Sequence, residues 1–148
     1  MLKTVKTTLG WREWAALPTL GLPAIKVKID TGARTSSLHA FRIKPFKTGG
    51  RKYVRFMVYP VQHEREVVVS CVAEVTDRRY IRDSSGRREF RYIIKSVIRM
   101  DGKNWEIEIS LTNRAKMNFR MLLGRSAMRG MRIAPRRSFL LGKPDGEK

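Results

Sequence analysis

Thiol and imidazole chemistry have little to work with in this chain, which holds one cysteine and two histidines in 148 residues. A single Cys71 excludes an intrachain disulfide. Its place in the apolar run Val67-Val68-Val69-Ser70-Cys71-Val72 reads as a small buried hydrophobe rather than a reactive thiol. His39, His63 and Cys71 have no ligand spacing among them, so no metal site is expected. His63-Glu64-Arg65-Glu66-Val67 begins like a metalloprotease helix but lacks the second His four positions after the first. No Gly-rich loop ending in Lys-Ser/Thr is present to cradle nucleotide phosphates, and no cofactor is expected. Long apolar runs are missing too. Lys3 and Lys6 are not followed by an export-type apolar segment, and nothing approaches a membrane span, so a cytoplasmic protein without membrane contact is expected.

Acid is also scarce. Thirteen Asp and Glu face 32 Lys and Arg, giving a formal charge of +19 at pH 7. The excess is spread along the chain rather than gathered in an arm. Such a field concentrates polyanions, whether RNA, ribosomes, acidic peptides or anionic surfaces. With 42% hydrophobic residues the chain is nonetheless a globular sequence and not a disordered basic tail. Its length suits one domain over residues 1–148, with a polar tail at 143–148.

Strand signals dominate what is present. Residues 51–59 alternate, with Val54, Phe56 and Val58 on one face and Tyr53, Arg55, Met57 and Tyr59 on the other. Thr48-Gly49-Gly50 marks a turn pairing this strand with residues 38–46. Residues 66–75 form a β-branched run, and Ser84-Ser85-Gly86 marks a turn before a strand at 87–100. Asp101-Gly102 joins that strand to another at 103–111, the strongest hairpin signal in the sequence. One short helix is expected at 126–131, with Ser126 near its N-cap. Many short strands with regular turns predict an all-β barrel or sandwich.

Ile25, Val27 and Ile29 alternate with Lys26 and Lys28, and the strand they predict ends on Asp30-Thr31-Gly32. A carboxylate fixed by a strand, then a hydroxyl and a glycine, is how aspartic proteases present half of a catalytic pair. Leu122-Leu123-Gly124-Arg125 supplies a later strand of two apolar residues followed by Gly and Arg. These elements, with Gly10-Trp11-Arg12-Glu13-Trp14, residues 28–40 and Leu111-Thr112-Asn113-Arg114, resemble the bacterial family known as ATP-dependent zinc proteases, whose members have a retropepsin-like fold.

The resemblance implies a closed β-barrel of the retropepsin-like acid protease type with one short C-terminal helix. It implies an aspartic endopeptidase with Asp30 as catalytic acid, Thr31 bracing the turn and Gly32 admitting substrate backbone. Ala33, Arg34, Thr35 and Arg125 would line the substrate. Asp83, Ser84, Ser85 and Gly86 would form the tip of a flap over the cleft. Only one Asp-Thr-Gly occurs, so a carboxylate pair requires a homodimer. Arg34 stands where retropepsins commonly carry an acid that pairs with the Arg of the second element. A cationic cleft margin would favour acidic substrates. Relatives of this family often occur beside ligases that add glutamates to a ribosomal protein, so a glutamate-extended target would suit the charge. The words zinc and ATP in the family's name find no ligand set here. The alternative is a non-catalytic basic β-module that binds RNA or a ribosomal partner on the same scaffold. His39, close after the Asp30 turn, either tunes the site or is ordinary hydrogen-bonded structure. Trp11 and Trp14 read as core or interface aromatics.

Overall fold

The computed structural model describes residues 7–82, 85–113 and 118–144. Among these residues eleven strands run in chain order: β1 Thr8–Leu9, β2 Arg12–Leu17, β3 Leu22–Ile29, β4 Ser36–His39, β5 Phe41–Thr48, β6 Arg51–Val58, β7 Val69–Arg82, β8 Arg88–Met100, β9 Lys103–Thr112, β10 Met121–Leu123 and β11 Arg132–Ile133. The main sheet has the order β2-β3-β10-β4-β9-β8-β7-β6-β5. One further pairing, Ala16 with Arg99, returns β2 to β8. Six strands therefore form a ring, closed at its seam by a single residue pair rather than by a full ladder, and β7, β6 and β5 extend from it as a side wing. The fold is all-β.

The alternations read from the sequence decide which faces are buried. Ile25, Val27, Val54, Phe56 and Val58 are fully enclosed, and they share one core with Leu9, Leu22, Leu38, Ile94, Ile109 and Leu123. Each such side chain contributes roughly 1.5–3 kcal/mol by leaving water. Asp101 and Gly102 both take positive φ, 53° and 70°, the backbone a two-residue hairpin turn requires.

Two elements differ from expectation. The strand foreseen at 38–46 is two strands: β4 lies between β9 and β10, whereas β5 pairs only with β6. Arg42, at φ 51°, sits in the register shift between Phe41 and Lys44 and redirects the chain there. The C-terminal helix is a single 3-10 turn, Arg125–Ala127, shorter than the expected 126–131. Its N-cap is Gly124 rather than Ser126, and Gly130, at φ 75°, turns the chain away soon after.

The two ends of the described chain are clasped together. β1 and β11 pair in parallel. Glu13 is buried, and its carboxylate accepts the main-chain N–H groups of Gly10 at 2.6 Å, Leu140 at 3.0 Å and Leu141 at 3.1 Å. The Trp11 N–H donates to the Arg137 carbonyl at 2.7 Å, and the Phe139 N–H to that of Arg12 at 2.9 Å. Trp11 meets Phe119 edge-on and Trp14 lies tilted against Phe139, so both indoles pack as aromatics at this clasp. Pro144, just past it, is buried. No helix is long and apolar enough to cross a membrane among the described residues.

Candidate active site

β3 delivers Asp30 to the ring's edge. Ile29, just before it, donates its N–H to the Trp11 carbonyl at 2.9 Å, and the Asp30 N–H donates to the Leu123 carbonyl at 2.9 Å. β10 lies between β3, which it parallels, and β4, which it opposes. The Asp30 turn therefore passes over the end of β10 from one side to the other. Within the turn the Gly32 N–H donates to Asp30 Oδ1 at 3.0 Å and the Ala33 N–H to the Asp30 carbonyl at 3.3 Å. An Asp side chain that accepts a main-chain N–H two residues on holds its own turn. Asp30 is half-buried, while Thr31 and Gly32 are exposed.

Leu122-Leu123-Gly124-Arg125 closes underneath. The N–H groups of Arg125 and Ser126 donate to the carbonyls of Ala33 at 2.8 Å and Arg34 at 3.0 Å. The Gly124 N–H donates to Ser36 Oγ at 3.0 Å. A Cβ on Gly124 would lie 2.6 Å from the Thr35 carbonyl carbon and 2.9 Å from the Arg34 oxygen and the Ser36 nitrogen. No side chain fits there. Arg125 Nη1 donates to the Thr31 carbonyl at 2.9 Å. With Arg34, exposed and basic, standing where the resembled family commonly carries an acid, the Arg125 guanidinium grips the main chain of the Asp30 turn instead. The structure brings Asp30, Thr31, Gly32, Ala33, Arg34 and Thr35 together with Arg125, and the two segments are linked by main-chain bonds, by the Ser36 hydroxyl and by the Arg125 guanidinium.

A buried polar network behind this turn was not foreseen. The Ser110 hydroxyl donates to the Ser36 carbonyl at 3.2 Å and accepts Arg91 Nη1 at 3.2 Å. Arg91, itself buried, pairs with Glu89 at 2.9 Å, and the Thr112 hydroxyl donates to the same carboxylate at 3.0 Å. The signal available in the sequence was the alternation Glu89, Arg91, Ile93, which puts the arginine on the same face as a buried isoleucine. In this way the β7–β8 arm is bonded to β9 and, through Ser110, to the strand that follows the Asp30 turn.

At the arm's end the flap candidate is described only in part. Asp83 and Ser84 lie outside the described residues. Ser85 and Gly86 fall in the turn between β7 and β8, with Gly86 at φ 84° and Arg82 Nη1 donating to its carbonyl at 3.4 Å.

His39 lies at the end of β4 away from the Asp30 turn. It is buried, and its N–H donates to the Arg120 carbonyl at 2.7 Å. Burial first, and the Arg120 guanidinium second, lower its pKa and favour the neutral ring. Arg120 is buried as well; burial and the nearby Arg65 lower its pKa, and its Nη2 donates to the Glu64 carbonyl at 3.3 Å. The Cys71 thiol donates to the Leu20 carbonyl at 3.3 Å, and burial pushes its pKa up to about 11. Among the described residues no group of three or more His, Cys, Asp or Glu converges to hold a metal ion.

A family model described as RimB-like, retropepsin-like aspartic endopeptidase RimB, matches residues 8–144. A Shewanella pealeana protein named "Probable alpha-L-glutamate ligase" is 49% identical over 139 residues, covering 93% of this chain and 30% of the ligase. A protein of the same name from Desulfotalea psychrophila is 46% identical over 123 residues, covering 83% of this chain and 26% of its own. The chain thus spans less than a third of the length of these relatives. The crystal structure of Lpg0085, a Legionella pneumophila protein of unknown function, superposes with a TM-score of 0.79 at 27% identity, covering 93% of this chain and 99% of that one.

Proposed function

The chain belongs to the RimB-like family of retropepsin-like aspartic endopeptidases, and on that premise we propose that it hydrolyses peptide bonds with a dyad of Asp30 carboxylates, one from each protomer of a homodimer. One observation carries this reading. The Asp30 turn is fixed by main-chain bonds on both sides while its carboxylate stays at the accessible edge, beside an exposed Thr31 and Gly32. Two carboxylates about 3 Å apart cannot both ionise, so the pair shares one proton. The ionised member takes a proton from a water, which attacks the scissile carbonyl. The protonated member donates to the carbonyl oxygen, and the proton taken from the water is then delivered to the amide nitrogen as the C–N bond breaks. The diol collapses to the acid, which returns the shared proton to the pair; hydrolysis is general acid–base with no covalent intermediate. Thr31 faces its counterpart across the two-fold axis, Gly32 leaves room for substrate backbone, and the β7–β8 tip covers the cleft.

The substrate is an acidic, glutamate-extended polypeptide. Arg34 is exposed at the margin of the turn, and guanidinium groups bind carboxylates through a bidentate fork. Relatives that carry a segment like this one in a longer chain are named as glutamate ligases, and a hydrolase matched to glutamate chains is the complementary activity. The test is cleavage of matched acidic and neutral peptides by the protein and by Asp30→Asn. The acidic peptide is expected to be cut faster, and the substitution to lower the rate by at least about 10³-fold with sedimentation and circular dichroism unchanged. Retained cleavage rejects Asp30 as the catalytic acid; equal rates on both peptides reject the acidic preference.

A further inference from the structure

The outer part of the β7–β8 arm carries a surface that peptide hydrolysis does not explain. Residues paired across an antiparallel ladder point to the same face. The pairs Arg78 with Tyr92, Tyr80 with Phe90 and Arg82 with Arg88 therefore set three aromatic rings and three guanidinium groups on one side. The only carboxylates among the adjoining described pairs, Asp77 and Glu89, belong to the opposite face, where Asp77 is held by Arg79 at 2.6 Å and Glu89 by Arg91.

The rings are ordered in a row. Phe90 meets Tyr92 edge-on with centroids 5.3 Å apart, and Tyr80 meets Phe90 at 5.7 Å. The two outer rings are also open to solvent, Tyr80 by 65% and Phe90 by 44%, although burying such rings is ordinarily favourable, while Tyr92 is half-buried against the core. Arg88 lies over the Tyr80 ring at 4.6 Å. At the arm's base the row runs into a groove of about 340 Å³, lined by Tyr92, Arg78, Lys47, Lys52, Pro45 and Val75 among others, with no carboxylate in its lining.

We propose that this face binds single-stranded RNA, with bases laid against Tyr80, Phe90 and Tyr92 and the phosphates following Arg78, Arg88, Lys47 and Lys52 into the groove. The alternation of exposed rings and cations is what selects this partner. A glutamate chain would satisfy the cations but leave the rings with nothing to cover them, and a duplex hides its base faces. Single strands offer both a π-face and a negative charge at every nucleotide. None of these residues belongs to the Asp30 turn or to the segment from Gly124 to Ser126 that braces it.

The experiment is fluorescence anisotropy of the full chain with a labelled oligouridylate of about 12 nucleotides, a duplex of the same length and a labelled oligoglutamate, each over a range of salt. The single strand is expected to bind most tightly, with log affinity falling linearly against log salt. Tyr80→Leu with Phe90→Leu keeps apolar bulk on the strands but removes the π-faces; it should weaken single-strand binding about tenfold or more and leave the salt slope unchanged. Arg78→Gln with Arg88→Gln should reduce that slope by roughly 1.4, about 0.7 per lost phosphate contact. Exchanging the rings, Tyr80→Phe with Phe90→Tyr, should preserve binding and so separates loss of stacking from loss of fold. The proposal is overturned if the leucine variant binds RNA like the parent, if the duplex binds as tightly as the single strand, or if oligoglutamate binds tighter than RNA and loses affinity with the rings.

Discussion

Gly124 meets main chain where other residues would carry a side chain: Thr35, Arg34 and Ser36 all lie within 3 Å of where its Cβ would be. Backbone cannot swing aside as a flexible side chain can. Gly124→Ala is therefore expected to destabilise the fold by about 3 kcal/mol and to lower peptidase activity beyond the loss of folded protein, because the displaced atoms belong to the Asp30 turn. Denaturant titration together with cleavage rates per folded molecule checks both. A variant as stable and as active as the parent would show that the contact yields. Asp30 itself was legible from alternating Ile25, Val27 and Ile29 followed by a turn tripeptide, a local pattern. The need for glycine at 124 was not, since it arises from contact with a segment 88 positions away. The partner of Arg125 was hidden for a related reason: the acceptor is a main-chain carbonyl, which every residue has and no residue type announces.

Among the elements, hairpins were read most accurately and the ends of the chain least. Asp101-Gly102 and the alternation of β6 are written in neighbouring residues, and the structure follows them. The clasp around Glu13 depends instead on two segments that meet from opposite ends, so Gly10-Trp11-Arg12-Glu13-Trp14 could be recognised without its purpose being visible. That purpose is now physical. One buried carboxylate satisfies three N–H groups, and the adjacent Trp11 carbonyl accepts the N–H of Ile29 immediately before Asp30. Glu13→Ala should cost about 3–5 kcal/mol, because the buried Gly10 N–H and the half-buried N–H groups of Leu140 and Leu141 all lose a charged acceptor at once. Glu13→Gln, which keeps one acceptor oxygen, should fall between. Thermal melts of the two variants test the order, and an alanine variant within about 1 kcal/mol of the parent would show that the clasp holds without its carboxylate. The short 3-10 turn after Gly124 shows the opposite limit: a plausible cap at Ser126 was overruled by main-chain bonds to Ala33 and Arg34.

For the whole molecule, the class of fold was readable because strand periods and turns repeat along the chain, whereas the closure of six strands through Ala16 and Arg99 follows from no local signal. The proposed dyad is likewise a property of an assembly. Specific activity should then fall on dilution in step with the dimer fraction measured by sedimentation, and excess Asp30→Asn chain should poison the parent by forming mixed pairs. Constant activity in a purely monomeric sample would exclude a shared proton. Arg79 is tied to Glu108 on β9, Arg91 to Ser110, and Glu89 to Thr112, so the β7–β8 arm is guyed almost to its tip, with Arg82 and Arg88 the outermost described pair past the last anchor. Such a ribbon has little compliant length. If the arm covers the cleft as proposed, only a short length beyond these anchors would be left to give way, and threading a thin, extended tail would cost far less elastic strain than engulfing a folded chain.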